Sequence, residues 1–452
     1  MSGLLDSLAG AVAAARRLGA SDVEVSHAAR TLGMARFANS TITQSGVVDE
    51  RLTRVRVAVG EQIGAATTSG LDAGALEDAA AQALEAARMS PASHGFAGFA
   101  RPDGATTAPP AFAPATAALG AGERADVLGG LFRRAARDHL LLAGSYQTGP
   151  RTRAVVTAAG VARSHTTTEA QLSVIALDGD VSGYAVGFAP DASRLDPAGL
   201  AEEACTTAVR ARGPIEIDPG AYDVVLAPAA VAELVEWLAI GSFSARAVLD
   251  GTSFLAGPPG APLCDERVSL VDDSSYHHAD VASVPFDAEG TARRRVLLVD
   301  QGRAGTPVSD LAAAARLGGP STGHAPPLGP ELSDGPMPSD LILLPGADAP
   351  ADLIKRVERG LYVTRFHYVN GLLDTRRAVM TGMTRDGLFQ IHDGAIGKAV
   401  TNLRFTESIL DALGRLGGLG TNLKAIPANW TMTPTLCPTI LLRDFHFTGR
   451  SR

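Results

Sequence analysis

An α+β fold of two domains, the first of α/β type and the second rich in strands, follows from three observations. The chain has 452 residues, more than one hydrophobic core commonly serves. Its first half mixes segments of helical period with segments of alternating period. Its second half, entered through Gly213-Pro214 and Pro219-Gly220, holds many short strand-like runs and few helical ones. The boundary falls at that break, giving domains over 1–212 and 213–452.

The elements of the first domain follow in order. Leu4, Leu5, Leu8, Val12 and Ala15 recur at helical spacing, so residues 3–18 form an amphipathic helix that Gly19 ends, with Arg16 and Arg17 at its favourable C-terminal end. Strands are predicted over 22–28, 31–38 and 51–59, the last alternating Val55, Val57 and Val59 against Arg54, Arg56 and Ala58. Asp72 is placed to cap an alanine-rich helix ending near Met89. Residues 90–120, dominated by Ala, Pro, Gly, Ser and Thr, read as a linker or long surface loop. A helix over 121–139, strands over 153–159, 169–177 and 181–188, and a helix over 197–212 complete the domain. Strands followed by a helix thus occur twice, a loose architectural echo without a detectable sequence repeat.

In the second domain a strand over 222–227 runs into a helix from Val231, and the chain then loops toward Gly257. That helix contains no histidine. Strands are predicted over 267–271, 295–300, 341–344, 361–369, 378–383, 388–392 and 439–447, and helices over 307–317, 351–358 and 407–416. The Gly- and Pro-rich segment 318–338 reads as a mobile loop.

Bulk composition excludes several function classes. No apolar run is long enough to span a bilayer, so no membrane role is expected. A net charge of −8 with a pI near 5.7, and no basic stripe, argues against a nucleic-acid partner. Cys205, Cys264 and Cys437 are odd in number and widely spaced, which suggests neither a disulfide framework nor a zinc knuckle and fits a reducing cytoplasm.

Chemistry has few candidate homes. Alternation over 361–370 puts Arg365 and His367 on one face, with Tyr368 on the other, where a groove could hold a peptide carboxylate or backbone; the plain alternative is a solvated strand face. Asp272, Asp273, His277, His278 and Asp280 share one short loop but lack a recognised metal-ligand spacing. Cys437 has no activating base legible nearby, and a buried structural thiol is the expectation. Neither Cys205 nor Cys264 stands out as reactive. No G-x-S-x-G elbow occurs, and Gly417-Gly-Leu-Gly-Thr-Asn-Leu-Lys424 follows a helix instead of opening one, so it reads as a turn.

Several motifs, in order along nearly the whole chain, resemble the TldD/PmbA family. They are Arg36-Phe-Ala-Asn-Ser-Thr-Ile-Thr-Gln44, Gly251-Thr-Ser-Phe-Leu-Ala-Gly257, Pro285-Phe-Asp-Ala-Glu-Gly290 and the run from Leu353 to Leu413. Within that run Val357-Glu-Arg-Gly-Leu-Tyr-Val-Thr-Arg365, Thr381-Gly-Met-Thr-Arg-Asp-Gly387 and Asn402-Leu-Arg-Phe-Thr-Glu-Ser408 carry most of the weight. The resemblance implies a bacterial or archaeal cytosolic protein of two-domain α+β fold. It also implies work in a TldD/TldE-type complex that trims unfolded or leader peptides.

Catalytic members of the family carry H-E-x-x-x-H on the helix before the Gly251–Gly257-like segment, with a downstream cysteine completing a zinc site. Two imidazoles hold the metal, the glutamate is general base, and zinc lowers the pKa of its water toward about 7. In this sequence the histidine positions fall on Glu236 and Gly241, or on Trp237 and Ser242 if the register slips by one, and the glutamate becomes Trp237 or Leu238. The family's ligand cysteine belongs to a C-G-K-like segment, whereas Thr421-Asn-Leu-Lys424 has none and Cys437 is expected in the terminal strand region.

The chain therefore resembles the metal-free TldE (PmbA) branch. This implies no catalytic residue and no metal in this chain, zinc in a TldD-like peptidase subunit as heterodimer partner, and a peptide substrate enclosed between them. Two alternatives are a stand-alone, metal-independent hydrolase or amide-bond enzyme using Arg365, His367, Tyr368 and the His277-His278 loop, and a homodimeric peptide-binding protein without catalysis.

Overall fold

The computed structural model describes residues 2–93, 96–104, 108–328, 335–427 and 433–451. Its first half is one antiparallel sheet built from two like units. The first runs α1 (Ser2–Arg17), β1 (Asp22–Ala38), β2 (Thr41–Val59), β3 (Gln62–Thr68) and α2 (Ala73–Met89). After a short α3 (Pro114–Ala118), the second runs α4 (Ala121–Ala136), β4 (Leu141–Thr157), β5 (Ala162–Asp178), β6 (Val181–Ala189) and α5 (Pro197–Arg210). The strand order β3-β2-β1-β4-β5-β6 places β1 beside β4 at the centre, so the two units mirror each other. The predicted echo is thus an architectural repeat.

The mirroring reaches single residues. A Cβ on Gly64 of β3 would lie 2.2 Å from the Ala83 carbonyl oxygen of α2, and one on Gly183 of β6 would lie 2.1 Å from the Ala204 carbonyl oxygen of α5. Each helix packs so close to its strand that only glycine fits. Asp72 caps α2 by accepting from Ala75 N–H, as its position predicts.

All four long helices cover one face of the sheet. Val23, Val25, Ala154 and Val156 pack against α1 and α2, while Phe37, Leu142, Tyr146 and Leu172 pack against α4 and α5. Period-2 alternation turns Ala28, Arg30, Arg151, Arg153 and Val155 to the opposite face, toward the second half. There Val155 packs on Val284 and Phe286.

The predicted strands 22–28 and 31–38 are one continuous β1, and residues 141–152, not predicted as strand, belong to β4. The Gly149-Pro150 pair disguises β4 in the sequence, and β1 runs on through Ala29, Arg30 and Gly33. Gly33 leaves room for Arg124 of α4, since a Cβ there would fall 2.4 Å from Arg124 Nη1. Pro150 interrupts a strand pattern because it lacks a donor, yet the ladder with β5 continues across it. Within 90–120, Phe99 and Ala100 are buried, Asp103 pairs with Arg163 at 2.6 Å, and Ala113 N–H donates to Thr168. These described parts of the predicted loop, with α3, pack on the sheet.

The second half opens with β7 (Gly220–Leu226), α6 (Pro228–Ser242) and α7 (Ala245–Leu249). It continues through β8 (Leu270–Asp272), β9 (Val296–Asp300), β10 (Arg303–Ala304), α8 (Leu311–Leu317), β11 (Leu341–Leu343) and α9 (Pro350–Lys355). Then come β12 (Arg359–Asp374), β13 (Val379–His392), β14 (Ala395–Ala399), β15 (Leu403–Ser408) and α10 (Ile409–Gly414). The chain closes with β16 (Leu416–Leu419), β17 (Lys424–Ile426), β18 (Thr435–Cys437) and β19 (Ile440–Arg450).

Two sheets result. One has the order β10-β9-β8-β11-β18-β17. In the other, β12, β7, β19, β15 and β13 pair in turn and β13 pairs back to β12, so the hydrogen bonding closes into a ring. Phe366, Phe405 and Phe445 stack inside it. Of the run 417–424 read as a turn, 417–419 belong to β16 on the β19 edge and Lys424 opens β17, while 378–383 with 388–392 form one β13.

Candidate functional site

Helix α6 packs on β12 of the ring and on β18 of the second sheet. Pro228 starts it at a position where a missing N–H costs nothing. The helix is apolar almost all round, with Ala230, Val231, Leu234, Val235 and Leu238 buried, as expected of a helix enclosed on several sides.

Its degenerate positions are absorbed into this packing. Glu236 is 2% exposed, with Thr435 Oγ1 within 3.5 Å of its carboxylate. Trp237 lies against Gly371 of β12, where a Cβ would approach it to 2.8 Å. Leu238 is in the core. Gly241 lies against Thr375, whose Cγ2 would be 3.2 Å from an added Cβ. Ser242 Oγ donates to the Thr375 carbonyl at 3.1 Å, and the Ser242 carbonyl accepts from Ser253 Oγ at 2.6 Å. That second bond ties α6 to the Gly251–Gly257 segment that follows it.

Cys437 ends β18, immediately before the last strand, and the structure sets it beside Glu236, a juxtaposition the sequence did not show. Burial, and then the Glu236 carboxylate, push its thiol well above the ordinary range, so it is neither a ready nucleophile nor a ready thiolate ligand. Among the described residues no third His, Cys, Asp or Glu joins the pair to make a group that could hold a metal. The donor set around α6 does not fit a family zinc site.

Among the other candidates Arg365, His367 and Tyr368 stay neighbours on β12. Thr364 Oγ1 is bonded to the carbonyls of Asp386 and Gly387, and the β12–β13 register shifts there, which breaks the predicted alternation. Phe366 therefore joins Val363 in the core, although alternation put them on opposite faces. Arg365 is held by Asp386, with Nε to Oδ2 at 2.5 Å, and its guanidinium lies 3.9 Å from the Tyr184 ring centroid. It fastens β12 to β6. His367 is half-buried, and burial followed by Arg365 and Arg385 lowers its pKa. Tyr368 is 79% exposed at φ 54, its ring edge-on to His367.

In the proposed metal loop, Asp272 is buried and accepts from the N–H groups of Ser339 and Asp340. Asp273 accepts from Ser275, His277 is exposed, His278 accepts from Asp280 N–H, and Asp280 faces Arg194 at 3.7 Å. These five side chains point to different partners. Cys205 is buried in α5 and Cys264 has its thiol pushed up to about 12 by burial and Asp265.

The second region of chemical interest is a cavity of about 470 Å³ between the outward face of the first sheet and loops of the second half. Arg30, Arg51, Arg151, Arg153, Glu50 and Glu169 line it. Glu169 is shared by Arg30 at 2.8 Å and Arg151 at 2.7 Å. Sequence reading missed this row. Its signal was the pair Arg151 and Arg153, two charges at strand spacing on a face that the fold encloses.

The family model for the PmbA/TldA metallopeptidase C-terminal domain matches residues 219–449, and the model for PmbA/TldA metallopeptidase domain 1 matches residues 23–87. The chain belongs to the TldD/PmbA family. Its fold matches the crystal structure of TldE from Thermococcus kodakarensis at TM-score 0.87, over 98% of this chain and 100% of that one, at 17% identity.

Among curated proteins, a metalloprotease of Methanothermobacter thermautotrophicus is 25% identical over 207 residues, 45% of this chain and 44% of the relative. A metalloprotease TldD homolog of Buchnera aphidicola is 24% identical over 174 residues, 38% of this chain and 35% of the relative. The matched stretches span less than half of these relatives. No helix among the described residues is long and apolar enough to cross a membrane.

Proposed function

We propose that this chain is a TldE/PmbA-type subunit without hydrolytic chemistry of its own, which pairs with a TldD-like zinc peptidase and helps enclose an extended peptide. The observation that carries the reading is α6: the family helix is present and tied to its following loop, yet Glu236, Trp237, Leu238, Gly241 and Ser242 are built into packing contacts. Zinc, the general base and the cleavage step belong to the partner in this account. The cytosol suits three free thiols.

A surface for the partner is at hand. Strand β3 pairs with β2 only over residues 53–59, so among the described residues 41–52 have no strand on their outer edge. Val47 and Val48 are exposed there at 67% and 39%. Such an edge presents backbone donors and acceptors ready for strand addition.

Co-expression with a TldD-like protein from the same organism tests this. The two chains are expected to co-purify, and unfolded peptide is expected to be cleaved by the pair and not by this chain alone. Turnover by the isolated chain in excess chelator would contradict the proposal and favour the stand-alone enzyme. A homodimer that ignores the partner and retains peptide uncleaved would favour the binding-protein alternative.

A further inference from the structure

On the first sheet's outward face the strand register sets the charged side chains in rows. Arg30 pairs across with Arg151, which pairs with Thr167; one step on, Ala28 pairs with Arg153, which pairs with His165. Glu169 answers Arg30 and Arg151. Among the described residues no carboxylate pairs with Arg153, and Asp340 acts on it only at longer range.

The acid whose charge reaches it, Asp340, is bonded to Arg293 through one carboxylate oxygen. Among the described residues Arg153 makes neither an ion pair nor a hydrogen bond. Burial, then Arg293 and Arg151, push its pKa down to about 9, so at neutral pH it still carries its charge.

A guanidinium in such surroundings is costly unless an anion meets it. Arg153 lines the large cavity and also borders two smaller ones beside it. Four arginines and two glutamates line the large cavity, an excess of two positive charges. Its remaining walls include apolar Leu52, Phe188 and Leu328. The volume of about 470 Å³ holds a few residues of extended chain and falls in the range of ligand sites.

We infer that this cavity is a carboxylate subsite, in which Arg153 receives a peptide carboxylate while the apolar walls take the neighbouring side chain. A planar guanidinium matches a carboxylate in two parallel hydrogen bonds, and low water access strengthens them. The carboxylate is either the C-terminal group of the peptide or an Asp or Glu side chain. The inference rests on the proposed handling of extended peptides and adds what this subunit selects in them.

Isothermal titration of the full chain with three hexapeptides of alternating Ala and Leu decides it: a free C-terminal acid, its C-terminal amide, and an amide ending in Glu. Wild type is expected to bind at least one carboxylate-bearing peptide about tenfold or more tighter than the plain amide. Tighter binding of the free acid alone identifies the chain terminus, and equal gain with the Glu amide identifies any carboxylate. R153Q is expected to bind all three as wild type binds the plain amide, with a melting temperature no lower than wild type because an unanswered charge is removed. R153K, which keeps the charge without the fork, is expected to retain part of the preference and serves if R153Q does not fold.

Equal binding of all three peptides by wild type overturns the carboxylate subsite and leaves peptide binding standing. A preference that survives intact in R153Q or R153K overturns Arg153 as its cause. Binding of none overturns the subsite, and peptide handling by the pair stands or falls on the co-expression experiment.

Discussion

Asp272→Ala is expected to lower the stability of the fold by about 3–5 kcal/mol, as three buried donors lose their one acceptor. Asp272 is fully buried at the end of β8. Its Oδ1 meets His324 Nε2 at 2.8 Å, and its Oδ2 accepts from Ser339 N–H at 2.6 Å and Asp340 N–H at 3.0 Å. Burial alone would raise its pKa, but the His324 interaction, Arg293 and the Ser339 N–H outweigh it and hold the carboxyl below the usual range. Alanine would leave the imidazole and two backbone donors without their acceptor.

The described part of the segment predicted as a mobile loop is held by this residue. Ser321, His324 and Ala325 are buried, His324 Nδ1 is bonded to Thr322 at 2.9 Å, and Met337 N–H donates to the His324 carbonyl. Residues 329–334 of that segment lie outside the described residues. Urea denaturation of wild type, Asp272→Ala and His324→Ala measures the effect. A loss below about 1 kcal/mol for Asp272→Ala would mean that the loop is anchored elsewhere.

Stability is also expected to fall as pH rises from about 6.5 to 8, by about 2 kcal/mol. The cause sits where the two halves meet. Burial pushes the Glu24 carboxyl up to about 7, Arg56 opposing and Glu289 adding to the shift. Burial and Glu289 push Asp287 up to about 8, against the N–H groups of Ala325 and Thr291. Unfolded, both groups ionise near pH 4. Their contribution to stability is therefore fully present below about pH 4 and is lost as pH rises through their folded values.

Other groups confine the clean window. His27 and His165 have lowered pKa values, so their contribution is lost as pH falls below about 6.5, masking the carboxyl effect there. The raised thiols of Cys205, Cys264 and Cys437 act above about pH 8.5. Glu24 Oε1 takes Arg56 at 3.3 Å while Oε2 has no hydrogen-bond partner, so Glu24→Gln fits the site and is expected to flatten part of the slope. Stability that rises between pH 6.5 and 8 in chemical denaturation would reverse the assignment of buried neutral carboxyls.

How much of this was legible in the sequence depended on whether the information was local. The α+β class, the helix at α6 and its missing histidines were readable, because helical periodicity and a motif position are properties of adjacent residues. The identity of the family rested on ordered motifs across the chain and is matched by the family models. The Glu236–Cys437 juxtaposition was not readable, since it depends on α6 meeting β18, itself placed by parallel pairing of Leu436 with Ile342. Arg153 opened a predicted strand, but Gly144, Gly149 and Pro150 obscured the continuation that carries Arg151 beside it, and the enclosure of that face depends on the second half. Alternation failed at the bulge around Thr364, which puts Phe366 on the buried side with Val363, where Asp386 at φ 57 and Gly387 at φ 127 take backbone conformations that a regular strand does not have.

A family scaffold built around a helix that does not hold zinc is open to metal analysis of the purified chain, alone and in complex with a TldD-like subunit. Far less than one zinc per chain is expected for this protein alone, and one zinc for each TldD-like subunit in the complex. Stoichiometric zinc on the isolated chain, lost in Cys437→Ser or Glu236→Ala, would contradict this.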